Sequence, residues 1–243
     1  MHIPVMKGVI RRRMLVNFRV DAEVIRDVLP APFQPKLQRG QAIAGICLIR
    51  LEQVCPRPIP AMFGIASENA AHRIAVTWNE GDAQREGVFI PRRDTGSILN
   101  HLAGGRVFPG EHHRALFDID ESERRIALAM RSFDHEVDLE VRGVVARELP
   151  STSVFASLSE ASAFFEAGAL GYSVTADPLR LHGVTLHTRE WRVEPFAIEH
   201  VHSSYFANEN LFPRGSVEFD CGLLMRNVEH AWEAAPDLLL RAG

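Results

Sequence analysis

Residues 86–105 read EGVFIPRRDTGSILNHLAGG. Val88 and Ile90 alternate with Gly87 and Phe89, an apolar run that suits a well-buried strand. Pro91 has no N–H to give a ladder, so the pattern predicts that the strand stops there. Asp94 or Thr95 can cap the next element, Ile98, Leu99 and Leu102 give a short helix one apolar face, and Gly104 and Gly105 end it. Arg92 and Arg93 then fall between a strand end and a helix N-terminus. Two guanidiniums beside free backbone N–H groups can hold a carboxylate or a phosphate. The same pair can equally bridge local acids at the surface.

Working outward, residues 65–78 read as a strand joined to this stretch by the turn NEGDAQ at 79–84, so 65–91 forms a long hairpin. Glu68, His72, Ile74, Val76 and Trp78 share one face of it. A carboxyl and an imidazole on an apolar face either find partners or serve a site; a solvated Glu68 at the strand entrance and a satisfied core His72 are the alternative. Residues 9–20 and 41–52 read as further strands, and Asp21 starts a helix closed by Pro30 and Pro32. The loop at 54–64 carries Pro56, Pro58 and Pro60, too many for regular structure, and can cover an opening.

Beyond the central stretch, 110–146 reads as a three-strand meander with Ile126, Leu128, Met130, Leu139 and Val141 turned inward. Residues 157–168 form a helix with a Ser157–Glu160 capping box and a buried stripe of Ala161, Phe164 and Phe165. A turn at 177–183 leads to strand at 185–206, where Phe196, Ile198, His200 and His202 share a face. Residues 216–225 read as a last strand and 227–243 as a tail helix. The expected architecture is one domain over 1–243, α+β and mainly β. It is a closed or nearly closed antiparallel β-barrel with short outer helices near 21–29, 95–103 and 158–167.

Of the 243 residues, 46% are apolar, enough for a substantial core, and the net charge of −4 comes without a long run of Lys or Arg. That argues against nucleic acid as a partner. No apolar run can span a bilayer, and the opening MHIPVMKGVIRRR lacks the apolar centre of a signal peptide, so a cytoplasmic protein without a membrane partner is expected. Cys47, Cys55 and Cys221 show no paired spacing and read as reduced; Cys47 and Cys221 lie in apolar strands as small core residues. The only lysines are Lys7 and Lys36.

His200 and His202, joined by Glu111 and His113, could make a zinc or iron site, but H-x-H on a strand is a weak signal and no metalloprotease motif occurs. No metal and no cofactor is therefore expected. LAGGRVFPG is a helix end rather than a phosphate-binding glycine turn, and no G-x-S-x-G elbow is present. His113 and His202 remain secondary candidates because alternation turns them inward.

IPRRDT at 90–95 resembles the Pro-Lys-Lys turn of acetoacetate decarboxylases, with both lysines replaced by arginine. IRRRMLVNFRV, AGICLIRL, SENAAHRIAV, SVFASLSEASAFFEAGALGYS and SVEFDCGLLM are similar to domain-of-unknown-function family 2071, grouped with the acetoacetate decarboxylase-like superfamily, over about residues 8–232. The resemblance implies a β-barrel or cone with an interior pocket. It places Arg92 and Arg93 at the pocket and Glu68 where the family has an acid; together with His113, chosen from the alternation alone, the catalytic candidates are Glu68, Arg92 and His113. Arg93, His72 and His202, with Arg92, are candidate ligand contacts. Guanidinium cannot form the imine that the decarboxylases make from lysine. The function expected is a small-molecule enzyme, of lyase or isomerase type, acting on an anionic carboxylate or a carbonyl compound by acid/base or electrostatic catalysis. A non-catalytic ligand binder on the same barrel is the alternative, and a homo-oligomer is possible on this scaffold. Arg92→Ala is then expected to weaken ligand binding and leave the melting temperature of the free protein nearly unchanged.

Overall fold

A computed structural model describes residues 4–103 and 110–240. The elements run β1 (Met6–Val20), α1 (Ala22–Val28), β2 (Gln34–Pro35), β3 (Leu37–Gln38), β4 (Gln41–Pro56), β5 (Ile65–Glu80), β6 (Ala83–Thr95) and α2 (Ile98–Ala103). They continue with β7 (His113–Glu121), β8 (Arg125–Ser132), β9 (Asp138–Val145), α3 (Leu158–Glu166), β10 (Leu170–Val174), β11 (Arg180–Thr188), β12 (Glu194–Ser203) and β13 (Val217–Leu239). The structure is mainly β, with helices close to the three expected places. Gly104 and Gly105, expected to stop α2, lie outside the described residues.

The strands form one sheet that closes on itself twice. One ring runs β6–β5–β4–β1–β13–β11–β10 and back to β6. The other leaves β6 through β7, β8, β9 and β12 to β13 and returns along β1, β4 and β5. All pairings are antiparallel except β10 with β6 and β6 with β7. The wall common to both rings is buried on each face, which explains why β4 reads as apolar on both sides. Met14, Val16, Ile46, Leu48, Ile74 and Val76 pack on one side of it, and Leu15, Ile43, Cys47, Ile49, Ala71 and Ala75 on the other.

Pro91 does not end its strand. β6 continues to Thr95, and its register against β5 steps from Ile74↔Phe89 to His72↔Arg92, so one extra residue sits on β6. This is a β-bulge, and a proline is accommodated there because it owes the ladder no N–H. The consequence is a change of face. Val88 and Ile90 share a side with Arg93, whereas unbroken alternation would have put Arg92 there.

Three other expectations need correction. The tail does not form a helix: residues up to Leu239 prolong β13, because β11 offers a full ladder from Thr188↔His230 to Arg180↔Leu239. Pairing in three dimensions outweighs the local helical preference of Glu and Ala. The turn at 177–183 is shorter than expected, since β11 starts at Arg180, and 185–206 divides into two strands at Arg189–Val193. On α2, Ile98, Leu99 and Leu102 are 54%, 61% and 66% exposed, so the expected buried apolar face is not covered among the described residues. Asn100 of that helix is buried.

Candidate functional site

A partly open cavity of about 130 Å³ takes lining residues from all seven strands of the first ring. A water needs roughly 10–15 Å³ measured this way, so the space suits a molecule of about ten heavy atoms. Most of the wall is apolar, with Ile49, Leu51, Val54, Ile65, Ile90 and Val184 among the contributors. Into it come three guanidiniums: Arg13 from β1, Arg73 from β5 and Arg93 from β6.

None of the three has a carboxylate partner among the described residues. Arg93 Nε donates to Ser173 Oγ at 2.9 Å, and its two terminal nitrogens donate to nothing described. Arg73 Nη2 donates to Asn17 Oδ1, while Nε is buried without a partner among the described residues. Arg13 Nε donates to Cys47 Sγ at 3.2 Å, and Nη1 is buried without a partner among the described residues. Aromatic faces offset part of the cost: Arg73 lies 4.8 Å from the Phe165 ring centre and Arg13 5.5 Å from that of Trp191. Burial lowers the Arg73 and Arg93 guanidiniums to about 10, which still leaves both charged at neutral pH. The one lining residue with a carboxyl, Asp94, has both oxygens turned to Arg92. The cavity is thus cationic without a counter-ion.

His112 also lines the cavity. Burial, helped by the Arg93 charge, lowers its imidazole to about 3, so it is neutral at pH 7. Its Nδ1 lies 3.2 Å from the Gly110 carbonyl, which can only accept; Nδ1 therefore carries the proton and Nε2 the lone pair. At one end of the cavity Ser67, Asn69 and Asn100 form an amide cluster. Asn69 donates to Ser67 Oγ at 2.9 Å and Asn100 to the same oxygen at 3.2 Å.

Of the catalytic and ligand-binding candidates named from the sequence, Arg93 alone lines this cavity. Arg92 points to the other face of the shared wall. There it binds Asp94, with 2.9 Å from Nη2, Asp134 at 2.8 Å and Glu136 at 2.7 Å. It is the ion-pair partner of local acids, the reading left open by the sequence, because the bulge at Pro91 reverses the faces. Arg92→Ala should therefore act on folding first, contrary to the expectation above. His113 belongs to the same network through Nδ1 and Asp134, at 2.9 Å.

Glu68 lies on that face too, bonded to Arg12 Nη2 at 2.5 Å and Arg50 Nη1 at 3.1 Å. Burial raises its carboxyl above the usual range, against the pull of the two arginines. His72 is fully buried among Tyr205 and Phe206, away from the cavity, and burial lowers it to about 3. His202 is half exposed and pairs with Asp138 at 3.2 Å. A register shift between Ile198 and His200 on β12 breaks the alternation that would have turned it inward. Among the described residues no three potential metal ligands gather.

The sequence reading missed Arg13, Arg73 and His112. A signal was present for the arginines. Each stands inside a strand rich in apolar residues, and Arg73 has Ala71 and Ala75 as same-face neighbours. A charge in such a strand cannot reach water and must serve a cavity or a buried partner.

The family model for domain of unknown function 2071, described as an uncharacterized conserved protein, matches residues 9–220, and the chain belongs to that family. The comparison with curated proteins gives no match. Among solved structures the chain is similar to an acetoacetate decarboxylase-like enzyme from Sphingomonas wittichii RW1. The identity is 13% and the TM-score 0.57, over 99% of this chain and 94% of that one. It is also similar to acetoacetate decarboxylase from Legionella pneumophila subsp. pneumophila str. Philadelphia 1, at 13% identity and TM-score 0.58, over 96% and 87%. A third is the enduracididine biosynthesis enzyme MppR complexed with pyruvate, at 11% identity and TM-score 0.58, over 99% and 91%. At these identities the likeness establishes the acetoacetate decarboxylase-like fold.

Proposed function

We propose that the chain is a small-molecule enzyme of the acetoacetate decarboxylase-like superfamily that binds a small carboxylate in the arginine cavity and works without a Schiff base. The observation that carries this reading is the set of three guanidiniums in a mostly apolar cavity, none paired with a carboxylate among the described residues. An unpaired buried cation is costly, and a ligand carboxylate removes that cost. Neither Lys7 nor Lys36 lines the cavity, which supports the no-imine reading. The pyruvate bound by MppR makes a 2-oxo acid the first class to try.

Electrostatics narrow the reaction. Guanidiniums clamped on a carboxylate stabilise its ground-state charge and so oppose loss of CO2. The same cations stabilise an enolate forming at an adjacent carbonyl. Proton transfer or dehydration next to a carbonyl therefore fits better than decarboxylation. Asp94, the lining acid, is tied up by Arg92, and Glu68 is held on the far side by Arg12 and Arg50, which favours the second reading, a non-catalytic carboxylate binder.

The test is a thermal-shift screen of oxo acids, hydroxy acids and phosphorylated metabolites, followed in deuterated buffer by NMR of the best ligand. Stabilisation with exchange of the proton next to the carbonyl supports the enzyme. Stabilisation without turnover supports the binder. No stabilisation by any carboxylate rejects both readings.

A further inference from the structure

We propose that Cys47 is a reactive thiol of the arginine cavity, placed to attack an electrophilic carbon of a small carboxylate held by Arg93. This rests on the carboxylate reading above and adds a covalent site to it. Cys47 lines the cavity from β4, and its sulfur accepts from Arg13 Nε at 3.2 Å. Arg73 and Arg93 line the same cavity. Reactive cysteines sit in electropositive surroundings that a reagent can enter, and Cys47 has three cations around it. Independently of the sulfur, Arg73 points to an anionic ligand. It is 6% exposed, lines the cavity, and keeps Nε buried without a partner among the described residues.

Cys55 and Cys221 differ. Cys55 donates to the Ile59 carbonyl at 3.4 Å, burial pushes the Cys221 thiol well up, and neither lines the cavity.

The step balances without a further reactant. With a haloacetate, the S–C bond forms as the C–I bond breaks, iodide leaves with its electron pair, and the thiol proton goes to water. With a carbonyl carbon, the S–C bond forms, the C=O π pair moves to oxygen, and that oxygen takes the thiol proton.

The test compares alkylation of the folded protein by iodoacetate and by neutral iodoacetamide, with each cysteine followed by peptide mass spectrometry. A free thiolate repels the carboxylate of iodoacetate. At Cys47 the arginines should reverse this, raising the iodoacetate-to-iodoacetamide rate ratio at least tenfold above that of N-acetylcysteine. Pyruvate should slow the reaction. Arg93→Met should collapse the ratio while iodoacetamide still labels Cys47, which shows that the variant keeps an accessible thiol.

A Cys47 that resists both reagents, or that shows the ratio of N-acetylcysteine, overturns the proposal. Pyruvate raising the melting temperature equally in wild type and Cys47→Ser, with Cys47 inert, rejects the thiol and leaves the carboxylate reading standing. Failure of pyruvate and every other carboxylate to stabilise or protect rejects both. Because the rate ratio is read on the wild-type chain, the proposal stays falsifiable even where Cys47→Ser does not fold.

Discussion

Arg92 and Arg93 are neighbours in sequence, yet replacing each with methionine should change stability in opposite directions. Burial depresses Arg93 to about 10, which corresponds to a charged form disfavoured by about 3 kcal/mol in the free protein. Methionine has similar length and no charge. Its introduction removes that burden and gives up the bond to Ser173, worth about 1 kcal/mol, so Arg93→Met should stabilise by about 2 kcal/mol. For a chain of this size that is a rise of about 4–8 °C in melting temperature. Arg92→Met instead strands Asp94, which is 0% exposed, and costs about 3–5 kcal/mol. Thermal and urea melts by circular dichroism, without ligand, read both effects. Carboxylate binding should be lost in Arg93→Met and kept in whatever fraction of Arg92→Met folds. If Arg93→Met destabilises as much as Arg92→Met, the cavity arginine is already satisfied and the electrostatic argument fails.

Acid should weaken the fold well before the carboxylates titrate. His72 and His112 are held at about 3 and His230 at about 4, so the folded chain keeps them neutral while the unfolded chain protonates them below about 6.5. Their contribution is complete above that pH and lost as pH falls, by about 2 kcal/mol each at pH 5. An unchanged urea midpoint between pH 7 and pH 5 would contradict this. Gly45→Ala should cost about 3 kcal/mol, because the added carbon would lie 2.4 Å from the Val16 carbonyl across the β1–β4 ladder. A melt within 2 °C of wild type would mean that the ladder yields there. Borohydride with acetoacetate should leave no reduced adduct, since no lysine lines the cavity; mass spectrometry finding one on Lys7 or Lys36 would restore imine chemistry.

The meander, the capped α3 helix and the strands of the shared wall were legible because each follows a single period and its own end signals. Ser157 does accept from the Glu160 N–H, at 3.1 Å, as the capping box requires. What the sequence hid were events of pairing. The bulge at Pro91 looks like a strand end when the partner strand is unknown, and it decides which arginine enters the cavity. The shift at Ile198 hides His202's true face in the same way. β13's second half looks helical until β11 is available to pair with it. Arg13 and Arg73 were visible as charges in apolar strands, but only closure of the ring shows that they converge with Arg93.

β13 is the strand on which both rings depend, since it pairs with β1, β11 and β12. Its first partner, β1, lies at the opposite end of the described chain, with Met6 opposite Trp232. During synthesis, at roughly 5–20 residues per second, neither ring can close until residues 217–239 have been made. For that interval β1 and β11 carry open edges, and the guanidiniums of Arg13, Arg73 and Arg93 stand in water without desolvation cost. The cationic cavity is therefore assembled last, in the step that joins the two ends of the sheet. Such late, long-range closure belongs to slow-folding topologies, in which unpaired strands stay available to neighbouring chains for longest.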